Sequence, residues 1–430
     1  MIKKFFWACL LSPFFAAAQA GGISFRQELT WPQLLEKAKT EHKYVFVDCY
    51  TSGCDFCKSM DLKIYGNDTV GAYMNDKFIS IRMQMDSTKN DDPGLRRGYS
   101  TAHELIDTYH VVLYPTYLFF SPKGQVAHKD GGLKNIEEFL AMVRAATDSQ
   151  QQYYTLLSNY RHGSANYQQM GFLANCALRS GQDSLSSQIA TKYIRQYLEV
   201  LPEGQLWTKE NVLFVATFYT VISAGDKIFH SFYKNRVIID SFANIPDLWE
   251  NTVDDILYRD VVCPAVNKAL AIGSTPNWRQ IKKEIETEFD RFHMERNVLK
   301  AQVEYYKKKK EWSQYVNYLI RQQELEGIDT WEIGRIHSVE LNNYAYEVFQ
   351  HSSDHAQLRK ALAWVDRALS MLKKPDAREM DTKANILYRL GYKRKGLLLE
   401  EQSHALSPKN DDITASYEKM KSGSPTWPTN

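Results

Sequence analysis

Two cysteines separated by two residues, Cys54 and Cys57, are the side chains best suited to chemistry in this chain. They follow an apolar, β-rich run at 44–47 and precede a predicted helix that starts near Lys58. Thiols at this spacing can close a short disulfide, and the positive end of a helix stabilises a thiolate on the first sulfur. The pattern indicates thiol–disulfide exchange, although a lone Cys-x-x-Cys is also half of a zinc-ligand set.

The zinc alternative lacks the remaining ligands. A structural zinc site takes four ligands, and no second Cys-x-x-Cys or closely spaced histidine pair accompanies the first. His351 and His355 are separated by three polar residues typical of a loop or a helix start, so we expect both to be solvated. We therefore predict no metal and no other cofactor.

The neighbouring motifs follow one another in an informative order. Asp48 lies in the strand before the cysteines, a Tyr-Pro-Thr turn at 114–116 precedes another β-rich run, and Asp-Gly-Gly at 130–132 follows a short strand. This order resembles the thioredoxin fold over residues 24–147. It is similar to thioredoxin-like domains of secreted bacterial proteins and to the C-terminal domain of the membrane thiol:disulfide interchange reductases.

The resemblance implies catalytic roles for four residues. Cys54 would be the attacking nucleophile and Cys57 the resolving thiol, together forming a redox-active disulfide. Asp48, expected to be partly buried, would take the proton from Cys57; the alternative is an acid that reaches solvent at a strand end. Pro115 would follow a cis peptide bond. Arg82 would lie near Asp48, or else face outward.

Four further residues are expected to contact the substrate. The backbone of Tyr114 would pair with an extended substrate strand. Gly53, Asp55 and Phe56 stand where thioredoxins usually carry Trp and Gly-Pro, which leaves the substrate class and the direction of electron flow open. Because Asp55 places a negative charge beside the Cys54 thiolate, it should disfavour that thiolate and so weakly favours a reductant.

Sequence periodicity places the elements that would hold these residues. Thr30, Pro32 and Gln33 form a helix start with a capping-box pattern. The predicted strands and the last helix of this domain are 23–25, 44–50, 78–85, 117–120, 125–128 and 135–146. Residues 86–100 depart from a minimal thioredoxin. Within them, the polar stretch 86–94 is predicted to be a loop, either a plain surface insertion or a substrate-contacting segment.

The N-terminus predicts export. A basic start, an apolar stretch at 5–15 and a small-x-small site ending at Ala20 are typical of a signal peptide over residues 1–20. This segment is too short to span a bilayer, and a lipid anchor on Cys9 is the weaker alternative. We expect a periplasmic or secreted protein with no stable membrane insertion after cleavage. The five other cysteines are too few for a disulfide framework.

Length and charge set broader limits. A chain of 430 residues should form two or more domains. Its formal net charge of +2 gives no reason to expect a nucleic-acid partner. Four lysines at 307–310 are interpreted as a solvated helix face.

Helical patterns replace β-rich runs after residue 147. With the α/β thioredoxin-like domain assigned to 21–147, we predict a helical region at 148–335 that has no family assignment. Residues 336–430 resemble tetratricopeptide repeats, with small residues about seven apart, Gly391 between helices and Pro408 after the last. The predicted fold is thus α/β followed by an all-α, repeat-like region.

Two functions fit this organisation. The first is an exported thiol–disulfide oxidoreductase acting in cell redox homeostasis, which reduces disulfides in client proteins and is recharged by an upstream thiol electron donor. The second is a protein-binding adaptor whose helical repeats hold a partner, with the thioredoxin-like domain as a scaffold or redox sensor.

Overall fold

The computed structural model describes residues 21–327 and 335–428, except for the side chains of residues 335 and 336. The predicted signal peptide lies outside the described residues. The chain divides between Val221 and Ile222 into two compact units. The domain boundaries at 147/148 and 335/336 stay predictions.

The first unit is built on a four-stranded mixed sheet. Its strands are Tyr44–Tyr50 (β1), Phe78–Gln84 (β2), Thr116–Phe120 (β3) and Val126–Gly131 (β4). They lie in the order β2-β1-β3-β4, with β1 and β2 parallel and the other two pairs antiparallel. The first strand predicted at 23–25 is reduced to one isolated bridge between Phe25 and Ser80.

Six helices accompany the sheet. They are Trp31–Glu41 (α1), Asp55–Met60 (α2, extended by a π-helical turn at Asp61–Tyr65), Asp68–Lys77 (α3), Pro93–Arg97 (α4), Tyr99–Tyr109 (α5) and Ile136–Thr147 (α6). The predicted capping box opens α1, where the Thr30 backbone N–H donates to Gln33 Oε1 over 2.9 Å. The sheet separates two apolar clusters, and residues of α2, α3 and α6 pack on one face while residues of α1 and α5 pack on the other. The α/β architecture is as predicted.

The loop predicted at 86–94 ends two residues earlier than expected. Residues 86–92 are irregular, but α4 begins at Pro93 and α5 follows it. Asp92 caps α4 by accepting hydrogen bonds from two backbone N–H groups, and Pro93 at the first position fits a helix start. The prediction was wrong for residues 93 and 94 because the polarity of the segment concealed this start signal.

Helices continue the first unit beyond the sheet. They are Tyr153–Arg161 (α7), Tyr167–Arg179 (α8), Asp183–Gln196 (α9), Glu203–Leu206 (α10) and Lys209–Thr217 (α11). Helices α7 and α8 pack on β4, the last strand in the sheet order. They therefore cover an edge that would otherwise present unpaired backbone groups.

The second unit is all-α in its described residues. Its helices are Lys227–Lys234 (α12), Arg236–Ala243 (α13), Leu248–Leu257 (α14), Cys263–Ala271 (α15), Trp278–Glu286 (α16), Arg291–Lys309 (α17), Trp312–Leu325 (α18), Arg335–His351 (α19), His355–Ser370 (α20), Ala377–Arg389 (α21), Lys393–Leu406 (α22) and Asp411–Lys421 (α23). Helices α16 and α17 are separate, because Asp290 caps a new start at α17. Consecutive helices pack as pairs, α19 with α20 and α21 with α22. Gly391 turns the chain between α21 and α22 with φ of 92°. Among the described residues, no helix is both long and apolar enough to cross a membrane.

Candidate active site

Cys54 and Cys57 form a disulfide at the start of α2, with an S–S distance of 2.08 Å. Cys54 is the N-cap residue, and its Sγ accepts a hydrogen bond from the Cys57 backbone N–H over 3.0 Å. Cys57 is buried and Cys54 is partly exposed. Chemistry from outside therefore reaches Cys54 first, and a backbone N–H is in place to stabilise its thiolate.

Asp48 is buried in the middle of β1, so the strand-end alternative is wrong. Burial raises the pKa of Asp48 to about 6, against the opposing charge of Arg82. Its Oδ2 accepts from Arg82 Nε over 3.0 Å, whereas its Oδ1 has no hydrogen-bond partner among the described residues. The carboxyl group can therefore take up a proton near neutral pH.

Arg82 connects this buried acid to the surface. Besides Asp48, its guanidinium pairs with Asp61 over 3.0 Å and lies 4.5 Å from the ring centroid of Tyr50. Arg82 is opposite Asp48 in the β1–β2 register. It therefore faces the acid, as the resemblance implied.

The turn before β3 carries the predicted backbone site. The Tyr114–Pro115 peptide bond is cis, and Pro115 is buried while Tyr114 is half-buried. The Pro115 carbonyl accepts from the Gly132 N–H over 2.8 Å. Among the described residues, the backbone groups of Tyr114 form no hydrogen bond, so they are available to an extended ligand.

The three residues around the cysteines lie on the surface. Gly53 is exposed, and Phe56 is 61% exposed despite its size. The Asp55 side chain is 92% exposed and pairs with Lys58 over 3.0 Å. Solvent and this lysine screen the effect of the acid on the Cys54 sulfur, so the sequence-based argument for a reductant is weaker than expected.

The irregular segment after β2 is tied to the active site, which the sequence did not indicate. The Ser52 backbone N–H donates to Asp86 Oδ1 over 2.9 Å, and the Ser52 hydroxyl donates to the other oxygen. Ser52 lies two residues before Cys54. The segment therefore fixes the chain that leads into the disulfide.

A second buried acid, Asp130, lies at the end of β4. It accepts two hydrogen bonds from Arg179 of α8, at 2.6 and 2.9 Å, and lies 3.4 Å from Lys134 Nζ. Burial would raise its pKa, but the two cations outweigh burial and lower it. No sequence signal linked Asp130 to Arg179, because 49 residues separate them.

One group of buried donors has the composition of a metal site. His128, Asp130 and Cys176 each place a ligand atom within 4.8 Å of the others. However, His128 Nδ1 accepts from the Tyr153 N–H over 2.9 Å, so Nε2 carries the proton of the neutral ring. Arg179 and Lys134 already neutralise Asp130. These residues therefore do not fit a bound cation.

Comparisons with known proteins agree with this geometry. A family model named Thioredox_DsbH, described as a protein of unknown function (DUF255), matches residues 12–144. A solution structure described as a proposed disulphide-isomerase from Bacteroides thetaiotaomicron is 32% identical; the match covers 30% of this chain and 98% of that one, with a TM-score of 0.26. The chain belongs to the thioredoxin-like superfamily.

A second solved structure is described as DsbH oxidoreductase. It is 17% identical, and the match covers 33% of this chain and 94% of that one, with a TM-score of 0.27. Among curated proteins, none matches significantly. With its Cys54–Cys57 disulfide at a helix start, this member of the superfamily is a thiol–disulfide oxidoreductase.

Proposed function

We propose that the protein is exported and reduces disulfides in other exported proteins, with Cys54 and Cys57 as its working dithiol. The observation that carries the proposal is the pairing of a partly exposed Cys54 with a buried Cys57 above a sheet face that holds a proton-accepting Asp48. A base that serves the inner thiol is useful to a reductase, because that thiol must ionise to release the product.

In the first step, the Cys54 thiolate attacks one sulfur of a client disulfide. A new bond forms between Cys54 and the client sulfur, the client S–S bond breaks, and the other client sulfur leaves as a thiolate that takes a proton from solvent. The Cys57 N–H that points at Cys54 Sγ stabilises the attacking thiolate.

In the second step, Cys57 releases the client. Its thiol gives its proton to Asp48 and attacks Cys54, which closes the Cys54–Cys57 disulfide and expels the second client sulfur as a thiolate. Asp48 lies two residues after Phe46, which packs with Met60 of α2, so the acid is on the sheet face that α2 covers. Two electrons pass to the client, and an upstream dithiol donor returns them.

Client binding is proposed at the turn before β3. The backbone N–H and C=O of Tyr114 would pair with an extended client segment beside Cys54, as in strand addition. Gly53, Asp55 and Phe56 would form the remainder of the contact surface, since all three are exposed next to Cys54. The apolar ring of Phe56 suits a client that is locally unfolded.

The test is a redox titration of the full chain. Protein equilibrated at graded potentials is alkylated and its thiols are counted, with a Cys54→Ser/Cys57→Ser variant as the control that keeps Cys49, Cys176 and Cys263. A midpoint potential of about −270 mV supports a reductase, and a midpoint of about −120 mV supports an oxidant. A bond that stays closed below about −300 mV would be structural and would reject the proposal.

Export has its own test. Expression of the complete gene in a bacterium, followed by mass determination of the protein from the periplasmic fraction, should give an N-terminus at Gly21. Recovery of the intact chain from the cytoplasm alone would contradict export without affecting the chemistry of the disulfide.

A further inference from the structure

The segment Val111–Tyr114 joins α5 to the proposed client-binding turn. The first residue of the segment, Val111, is buried, but the side chains of Val112 and Leu113 are 59% and 48% exposed. On the side of the sheet, the segment is held by the Val111 N–H, which donates to the Ile106 carbonyl over 3.1 Å, and by Thr116 Oγ1, which donates to the Leu113 carbonyl over 2.6 Å. Contacts with the helices that follow the sheet add to these bonds in fixing where the Tyr114 backbone lies.

Lys129 provides one of these contacts. Its side chain is buried from solvent on β4, and its Nζ donates to three backbone carbonyls, those of Tyr109 at 2.8 Å, His110 at 3.1 Å and Ser180 at 3.1 Å. The carbonyls of Tyr109 and His110 lie at the C-terminal end of α5, just before the segment. The Ser180 carbonyl lies in the turn between α8 and α9. One ammonium group thus joins the start of the segment to the α8–α9 turn.

Gly181 of that turn contacts the segment directly. A Cβ atom placed on Gly181 would lie 2.3 Å from Val112 Cγ2 and 3.6 Å from side-chain atoms of Leu113. On the other side of the turn, the Arg179 carbonyl lies so close to Gly131 that a Cβ there would be 2.4 Å from it and 3.1 Å from the Pro115 carbonyl. The α8–α9 turn therefore contacts Val112 directly and approaches Pro115 through Gly131.

We propose that the α8–α9 turn, residues 180–182, positions the Val111–Tyr114 segment and so determines how tightly a polypeptide client is held. Lys129 and Gly181 are positioning residues in this arrangement. The inference rests on the proposed function for its client, but the packing it describes can be tested without activity. Helices outside the thioredoxin-like core thereby contribute to substrate selection.

This arrangement separates two kinds of substrate. A disulfide without peptide groups, such as hydroxyethyl disulfide, has no backbone to pair with Tyr114 and depends on the sulfur of Cys54, whereas a peptide also uses the Tyr114 backbone. A displaced segment should therefore raise KM for a peptide while leaving the reaction with hydroxyethyl disulfide unchanged. A general structural defect would slow both reactions together.

Gly181→Ala in the full chain is the test, and Gly163→Ala is its matched control. The two glycines have φ of 71° and 73°, so alanine is equally strained at either, but nothing lies within 4 Å of a Cβ on Gly163. With a disulfide-cyclised peptide as substrate, we expect KM to rise about tenfold in Gly181→Ala and to stay unchanged in Gly163→Ala. Equal KM values in the two variants would overturn the proposal.

A second pair of variants covers the case in which Gly181→Ala folds poorly. Val112→Ala removes the methyl group that the new Cβ meets, so adding Gly181→Ala to Val112→Ala should leave KM for the peptide where Val112→Ala alone puts it. A further tenfold rise in the double variant would show that the contact with Val112 is not the cause.

Amide hydrogen exchange of Val111–Tyr114 gives the result that does not depend on activity. Faster exchange there in Gly181→Ala than in Gly163→Ala supports the positioning role, and identical exchange contradicts it. If the unmodified protein reduces neither the peptide nor hydroxyethyl disulfide, the proposed function fails, and the exchange comparison still decides the positioning role.

Discussion

Asp48 and Asp130 lie in one register row of the sheet, on either side of Tyr117, and are equally buried. Asp48 has one cation, Arg82, and an unpartnered oxygen among the described residues; Asp130 has two cations and a backbone N–H. The pKa of Asp48 is raised and that of Asp130 is lowered. Burial is common to both, so the number of partners separates the acid whose pKa is raised, for which we propose a role in proton transfer, from the acid that is held in its charged form.

The largest effect should come from removing Arg179, the bidentate partner of Asp130, together with the helices that cover the β4 edge. A chain ending at residue 147 loses Arg179 and the Ser180 carbonyl and exposes the β4 edge, so we expect it to be unfolded. A chain ending at 221, where the first compact unit ends, should keep cooperative thermal unfolding by circular dichroism. Cooperative unfolding of the shorter chain would show that α7–α9 do not stabilise the sheet.

Removing one cation from each acid is the next sharpest comparison. Arg179→Met leaves Asp130 charged and poorly paired, and we expect a loss of about 3–4 kcal/mol in the free energy of unfolding, reduced somewhat because the guanidinium is 35% exposed. Arg82→Met should cost less, because Asp48 can respond by staying protonated to higher pH. Urea unfolding of both variants at pH 7 measures the difference, and equal losses would contradict the distinction between the two acids.

The same contrast explains what the sequence could predict. Asp48 was identified because an acid inside an apolar strand is a local anomaly, and the motif order then placed Cys54, Cys57 and Pro115. Asp130 was visible only as part of a turn motif, since its partner Arg179 belongs to a helix whose own pattern shows no more than amphipathicity. Apolar alternation and helix-capping residues can be recognised from residues that are neighbours in the sequence. An ion pair between distant parts of the chain depends on how the elements pack, and the sequence does not show this directly.

The thioredoxin-like core could be predicted further than its surroundings for a related reason. Strand β1 agrees in both bounds with the prediction from its apolar, β-rich run, but the α8–α9 turn reaches the client-binding turn through backbone carbonyls and Gly181. Every residue has a backbone carbonyl, so a contact made through carbonyls leaves no signal in the amino-acid sequence. A glycine that is required by close packing against a neighbour cannot be distinguished in the sequence from any other turn glycine.

His128, also on β4, titrates with the opposite sign to Asp48. Burial lowers the pKa of His128 to about 4, so the unfolded chain binds more protons between pH 6.5 and 4, and stability falls as the pH is lowered through that range. His128→Asn should remove up to about 3 kcal/mol of this acid sensitivity. The measurement is the free energy of unfolding of both proteins from pH 7 to 4. If the variant loses stability with falling pH as steeply as the unmodified protein, His128 is not the source of the acid sensitivity.

Asp48→Asn should change stability and activity in opposite directions. The pKa of Asp48 is about 6 in the folded protein, against a reference value of 3.8 that stands for the unfolded chain. Between these two pH values the folded protein binds more protons than the unfolded chain, so the free energy of unfolding decreases as the pH rises from 3.8 to about 6. The variant should therefore be more stable at pH 7 by up to about 3 kcal/mol, with no difference below pH 4.

Turnover of a peptide disulfide by Asp48→Asn should fall about a hundredfold at pH 7, because Cys57 loses its base, and the mixed disulfide with Cys54 should accumulate. Asp130→Asn is the matched control: it removes a carboxylate that is stabilising rather than reactive, so it should be less stable and turn over normally while folded. If both asparagine variants lose turnover alike, the partners of a buried acid do not determine its role in this sheet.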